Sequence, residues 1–220
     1  MSGESATARP DRCTARRPRG LILAAGAGRR LGRGPKALLV REDGLTLVES
    51  VLLALLGGGC TDVTVITGAR GAEVARVLDG RDLVSIVDNP GWSSGMGSSL
   101  RCGLQTIGPG HDVIVTPVDR PGISAEEVAR LIAAHHPGAI TAAGHRDPNG
   151  SLRRGHPVLF DAKWTPYAAA AAHEDVGARD LLEAHSSAVD LVDCTDHDDG
   201  TDIDEPEDLP RLRAAVRSRR

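Results

Sequence analysis

Two stretches of this 220-residue chain carry side chains that could do chemistry together. The first, AAGAGRRLGRGPK over 24–36, spaces Gly26, Gly28 and Gly32 through one short segment. Glycines there admit positive φ and let successive backbone N–H groups close around an anion. Arg30 and Lys36 add a cation toward either end, as a triphosphate would demand. The second stretch, DCTDHDDGTDIDEPED over 193–208, holds nine carboxylates and no Lys or Arg. Clustered carboxylates are costly unless water or a cation neutralises them. The glycine-rich loop matches neither common phosphate fingerprint. Its spacing is G-x-G-x-x-x-G where a dinucleotide fold has G-x-G-x-x-G, and Gly34-Pro35-Lys36-Ala37 lacks the Gly-Lys-Ser/Thr of a P-loop. Pro35 also disfavours a helix running through Gly34.

The elements that must position these residues alternate along the chain. GLILAAG (20–26), DVTVITG (62–68), LVSIVDN (83–89) and DVIVTPVD (112–119) read as strands, the first a short apolar run of the kind found in buried parallel sheets. TLVESVLLALL (46–56), GAEVARVLDG (71–80), GMGSSLRCGLQTI (95–107) and SAEEVARLIAAHH (124–136) read as helices, the last opened by a Ser124–Glu127 capping box. Beyond them, 139–144, 156–160 and 188–193 read as strands, and 161–172, 177–185 and 206–217 as helices. Such alternation predicts an α/β fold: one domain over 20–212, a mostly parallel sheet flanked by helices, between basic tails at 1–19 and 213–220. In such sheets ligands sit outside the carboxyl ends of the strands, which points at 24–36, 67–70, 88–95 and 116–121.

Composition removes several function classes. The chain is 2% aromatic, with Trp92, Phe160, Trp164 and Tyr167 its complete set, too few for the stacking platform of a single-stranded nucleic-acid binder. No apolar stretch approaches the roughly 20 residues of a membrane span. Cys13, Cys60, Cys102 and Cys194 form no CxxC pair, and no signal-peptide pattern opens the chain, so a reducing cytoplasm is the expected compartment. None of the eight histidines has metal-ligand spacing, and His135 and His136 read as partners of a helix C-terminus.

The run LAAGAGRRLGRGPK (23–36) resembles the signature loop of nucleotidyltransferases. NPGWSSGMGSSLRCGL (89–104), VDRPGI (118–123), RGHPVLF (154–160), EDVGARDLL (174–182) and DIDEPEDL (202–209) follow in an order similar to that of molybdenum cofactor cytidylyltransferase-like proteins of the MobA-like NTP transferase family. That resemblance implies a GT-A-like Rossmannoid fold. It also implies transfer of a nucleoside monophosphate, CMP from CTP, to a phosphorylated acceptor, Mo-molybdopterin, with release of pyrophosphate and help from Mg2+. A molybdoenzyme or its maturation chaperone would be a partner.

Within the resemblance, Lys36 stabilises charge in the transition state and Arg30 holds the β- and γ-phosphates. Ala24, Ala25, Gly26, Gly28 and Gly32 line the nucleotide, and Ala-Ala-Gly looks more like the cytidine users than the guanosine users. Asn89, Gly95, Ser98 and Ser99 form its far wall. Asp119, at the carboxyl edge of a strand, and Asp204, with Asp202 beside it, are the metal ligands. Arg154, Gly155, His156, Asp175, Gly177 and Arg179 face the acceptor. No general base is required, because a phosphate monoester is already largely dianionic at neutral pH.

Departures leave alternatives open. Arg120 stands where the family more often has Gln, Glu205 where it has Thr, and three residues rather than two separate Gly32 from Lys36. Another phosphate acceptor such as a sugar phosphate, or GTP as donor, is a rival within the class. An NADP-linked oxidoreductase, with Arg70 on the 2′-phosphate, is a rival outside it. The glycine spacing and the 202–208 carboxylates argue against that one. A nucleotide-binding module without catalysis is the third, and Arg120 and Glu205 lend it support.

Overall fold

The computed structural model describes residues 17–214, so the two basic tails lie outside the described residues except at 17–19 and 213–214. In chain order the strands are β1 (Arg19–Leu23), β2 (Val63–Thr67), β3 (Val84–Asp88), β4 (Val113–Pro117), β5 (Ile140–Arg146), β6 (Leu152–Phe160) and β7 (Val189–Asp193). The helices are α1 (Leu47–Gly58), α2 (Gly71–Val77), α3 (Met96–Ile107), α4 (Ala125–Ala134), α5 (Thr165–Ala171), α6 (Arg179–Ala184) and α7 (Arg211–Ala214).

These strands form one sheet in the order β3-β2-β1-β4-β6-β5-β7. β6 alone runs against the others, pairing antiparallel with β4 and β5. β2 is buried throughout and β1 and β4 at all but one end residue, in keeping with their largely apolar sequences, and a separate hydrophobic cluster fills each face. One cluster sets Ile22 and Ile114 with the inner sides of α1 and α4; the other sets Leu21 and Val115 with α3, α5 and α6. The chain travels outward through β2 and β3, then returns to place β4 on the other side of β1. This reversal opens a crevice beyond the carboxyl ends of β1 and β4, where such folds receive ligands.

Three expectations change. Ser124 accepts the Glu127 N–H, but Glu127 does not complete a capping box; its carboxylate is turned into the interior and is fully buried. The reciprocal box belongs to α1, where Thr46 and Glu49 bond one another's backbone N–H. The closing helix over 206–217 is, within the described residues, a 3-10 turn at Pro206–Asp208 followed by α7, with Pro210 interrupting the helical run. Finally, His135 caps the end of α4, yet its ring is tied to the Thr141 hydroxyl at 2.8 Å and burial lowers its pKa. A neutral imidazole does not supply the cation a helix dipole favours. Among the described residues, no helix is long and apolar enough to cross a membrane.

Candidate active site

The glycine-rich loop leaves the buried end of β1 at Ala24 and Ala25 and folds back on itself. Gly28 (φ +62°) and Gly32 (φ +67°) take left-handed conformations, and a Cβ on Gly28 would lie 2.0 Å from the Gly34 carbonyl oxygen. Only glycine allows that approach. The fold-back brings Lys36 across to β4. Its Nζ lies 2.8 Å from Asp119 Oδ2 and 2.6 Å from Asp204 Oδ1, and Arg30 reaches the same Asp204 oxygen at 2.9 Å. The Ile203 N–H donates to the Asp119 carbonyl at 3.0 Å, which fastens the acidic segment to the end of β4. Four residues far apart in sequence thus converge at the crevice.

The electrostatics of this cluster are unbalanced. Burial works against the Lys36 charge, but Asp119 and Asp204 outweigh it and hold the ammonium above its ordinary pKa. Asp202 is pushed up to about 7, by burial first and then by the neighbouring Asp119 and Asp204 charges. Asp119 Oδ1 is buried with no hydrogen-bond partner. Hard oxygen donors with an orphaned, shielded oxygen among them fit a divalent cation such as Mg2+. Asp119 and Asp204, which meet on Lys36 Nζ, are the pair that would hold it; Asp202 lies within electrostatic range of both, but among the described residues the three oxygens do not close into one metal-binding group.

Of the departures from the family pattern, Arg120 lies within electrostatic reach of Asp202 but spends its hydrogen bonds elsewhere. Arg120 is 1% exposed and directed into the protein, where it donates to the His156 carbonyl and pairs with Asp198 at 2.7 Å. Glu205 is exposed before the 206–208 turn, its carbonyl accepting the Asp208 N–H at 3.0 Å and its own N–H donating to Asp208 Oδ2 at 3.0 Å.

The residues expected to form the far nucleotide wall are bonded to one another. Asn89 Nδ2 donates to Ser98 Oγ at 2.9 Å and to Ser99 Oγ at 3.1 Å, and its Oδ1 accepts the Gly91 N–H. Gly95 (φ +115°) lets α3 begin hard against the 174–175 backbone. The first N–H groups of α3 are already engaged, Gly97 with the Glu174 carbonyl at 2.6 Å and Met96 with Asp175 Oδ1 at 3.3 Å. Asp175 therefore joins the two halves of the site. Gly177 (φ +60°) turns the same loop, and Arg179 is exposed at the start of α6.

Of the residues expected to face the acceptor, Arg154 is exposed on β6, and a Cβ on Gly155 would lie 3.0 Å from His145 Nδ1. These residues line a cleft of about 550 Å3 with Arg146, Arg153 and Gly200. His156 has its pKa pushed down to about 4, by burial and then by the Arg120 charge, so the ring is neutral at pH 7. Sequence reasoning missed the buried group beneath the cleft: Glu127 lies 3.7 Å from Arg120 and 3.3 Å from His145 Nε2. The one available signal was Arg120 itself, a charged residue beside a strand end that must find a partner if buried.

Several known proteins are similar to this chain. The model of the MobA-like NTP transferase domain matches residues 20–189. Nicotine blue oxidoreductase of Paenarthrobacter nicotinovorans is 43% identical over 195 residues, covering 88% of this chain and 95% of that protein. Molybdenum cofactor cytidylyltransferase of Escherichia coli (strain K12) is 27% identical over 139 residues, covering 63% and 67%. Among solved structures, a nucleotidyl transferase from Methanothermobacter superposes with a TM-score of 0.74 at 21% identity, over 89% of this chain and 95% of that one. With a family model that matches well over half of its length, the chain belongs to the MobA-like NTP transferase family.

Proposed function

We propose that the chain transfers CMP from CTP to a phosphorylated acceptor, Mo-molybdopterin, and releases pyrophosphate. One observation carries this reading: the Lys36 ammonium, at the end of the glycine-rich loop, is held between Asp119 and Asp204. An acceptor phosphate oxygen would attack the α-phosphorus as the bond to the β-phosphate oxygen breaks. Charge grows on the α-phosphoryl and leaving oxygens, so positioning and neutralisation dominate the catalysis. The loop N–H groups would cradle the phosphates, Arg30 would hold the outer ones, and Lys36 would turn from the carboxylates to the transferring group. Mg2+, held by Asp119 and Asp204 with Asp202 beside them, would supply further neutralisation of the phosphates. Arg154 would draw in the anionic acceptor, and a molybdoenzyme or its maturation chaperone would take the product.

A second reading has a specific observation behind it, the 43% identical relative that is named an oxidoreductase. Arg70, which reaches over Gly34 of the loop while paired with Glu73, could meet a 2′-phosphate of NADPH. The acidic cluster disfavours this reading, because a metal-bridged triphosphate uses such carboxylates and hydride transfer from NADPH has no need of them. Incubation with each NTP, Mg2+ and Mo-molybdopterin, together with NAD(P)H and a quinonoid dye as hydride acceptor, separates the two. Pyrophosphate release, fastest with CTP, is the expected result; NAD(P)H oxidation with no pyrophosphate from any NTP would favour the oxidoreductase.

A further inference from the structure

At the opposite edge of the sheet from the nucleotide crevice, Asp112 precedes β4, Asp161 follows β6, and His135 caps α4. One ligand-type atom from each of the three lies within 4.8 Å of the other two. We propose that these residues form a second divalent-cation site, structural rather than catalytic, with a preference for a metal such as Zn2+ that accepts both imidazole nitrogen and carboxylate oxygen.

Three observations support it. First, His135 Nδ1 bonds the fully buried Thr141 hydroxyl at 2.8 Å, whereas Nε2 is closed off from solvent and has no hydrogen-bond partner. A ring fixed through one nitrogen, with the other bare, is how metal-ligating imidazoles are oriented. Second, among the described residues no Lys or Arg pairs with Asp112 or Asp161. Lys163, in the same loop, directs its ammonium over the Trp164 ring, 5.0 Å from the centroid. Third, the imidazole makes no direct bond to either carboxylate. Two metal–ligand bonds of about 2.0–2.2 Å each span such a gap. Both carboxylates are held in place by backbone N–H groups, Asp112 Oδ1 by Ala162 and the Asp161 oxygens by Gly138 and Lys163. Asp112 Oδ2 has no such partner, and every carboxylate oxygen keeps a second lone pair. A cation here would clamp together the ends of β4, β5 and β6, the strands around the single reversed one.

The test uses the full chain carrying Asp119→Asn and Asp204→Asn, which weakens metal binding at the crevice, stripped with chelator and titrated calorimetrically with Zn2+ without nucleotide. One equivalent is expected to bind and to raise Tm, with Mg2+ binding at least tenfold more weakly. Adding Asp112→Asn or Asp161→Asn should weaken Zn2+ at least tenfold and abolish the Tm rise. Asp112→Asn retains an oxygen for the Ala162 N–H, so its metal-free Tm should stay unchanged, whereas Asp161→Asn gives up one of two backbone acceptors and is read by Zn2+ affinity alone. If a variant fails to fold, Co2+ added to the parent should give visible ligand-field bands that Zn2+ displaces and that His135→Gln removes. Absence of saturable Zn2+ binding and of Co2+ bands, or binding undiminished in both Asn variants, would overturn the proposal.

Discussion

Lys36 is the residue on which the site turns, because one ammonium faces two carboxylates that a metal-bound nucleotide would also need. Lys36→Met is expected to lower turnover by about 10²–10³-fold, the scale of losing one charge-stabilising donor. The same variant should bind Mn2+ more tightly than wild type in the absence of nucleotide, since the competing cation is gone; electron paramagnetic resonance titration reads this directly. His156 gives a pH dependence with a definite sign. Its folded pKa of about 4 lies below its ordinary value of 6.5, so the unfolded chain takes up the proton first. Its contribution to stability is complete above pH 6.5 and is lost as pH falls from there toward 4. Denaturant titrations at pH 7 and pH 5 should show a smaller acid loss in His156→Asn than in wild type. At this scale the charged ends of the site were legible in the sequence, because glycine spacing and carboxylate clustering are local patterns. The Arg120–Glu127–His145 group was not, because its members meet only when β4, α4 and β5 are assembled, and Glu127 stands three residues after Ser124 as a capping residue would.

At the scale of elements, the glycine-rich loop works by backbone closure rather than by side chains. Gly28→Ala would force a methyl group into the Gly34 carbonyl at positive φ. Loss of most activity is expected, with a stability cost of about 1–3 kcal/mol confined to this loop, which hydrogen exchange over 24–36 would localise. Central strands were easy to recognise because burial on both sides makes them continuous apolar runs. β6 was recognised only from His156, although it begins at Leu152. Arg153 and Arg154 sit on its exposed half, and the turn before it is built by Asp147, which accepts the Asn149 and Ser151 N–H groups and pairs with Arg153. Nothing in local polarity distinguishes that half-strand from a loop. The antiparallel direction of β6 was equally illegible, because it follows from pairing with β4 and β5 rather than from composition.

For the whole molecule, topology explains why distant segments share one crevice. The reversal between β1 and β4 sets the glycine loop beside Asp119, and the returning acidic segment is fastened there by the Ile203 N–H. Arg120 binds this assembly from beneath, joining the end of β4 to α4 through Glu127, to β6 through the His156 carbonyl, and to the acidic segment through Asp198. Arg120→Met would leave the fully buried Glu127 without its cation and is expected to cost about 3–5 kcal/mol in denaturant unfolding. Arg120→Met with Glu127→Leu should recover much of that loss, since replacing both charges removes the uncompensated one.

The most direct test places both chemistries in one vessel: wild type and Lys36→Met, each with CTP, Mg2+, Mo-molybdopterin, NADPH and a quinonoid dye as hydride acceptor, followed for pyrophosphate and for absorbance of the reduced nicotinamide. Pyrophosphate accumulating with wild type, at least about 10²-fold more slowly with Lys36→Met, and without NADPH loss, is the predicted result. NADPH consumption with no pyrophosphate, at a rate Lys36→Met leaves unchanged, would contradict it.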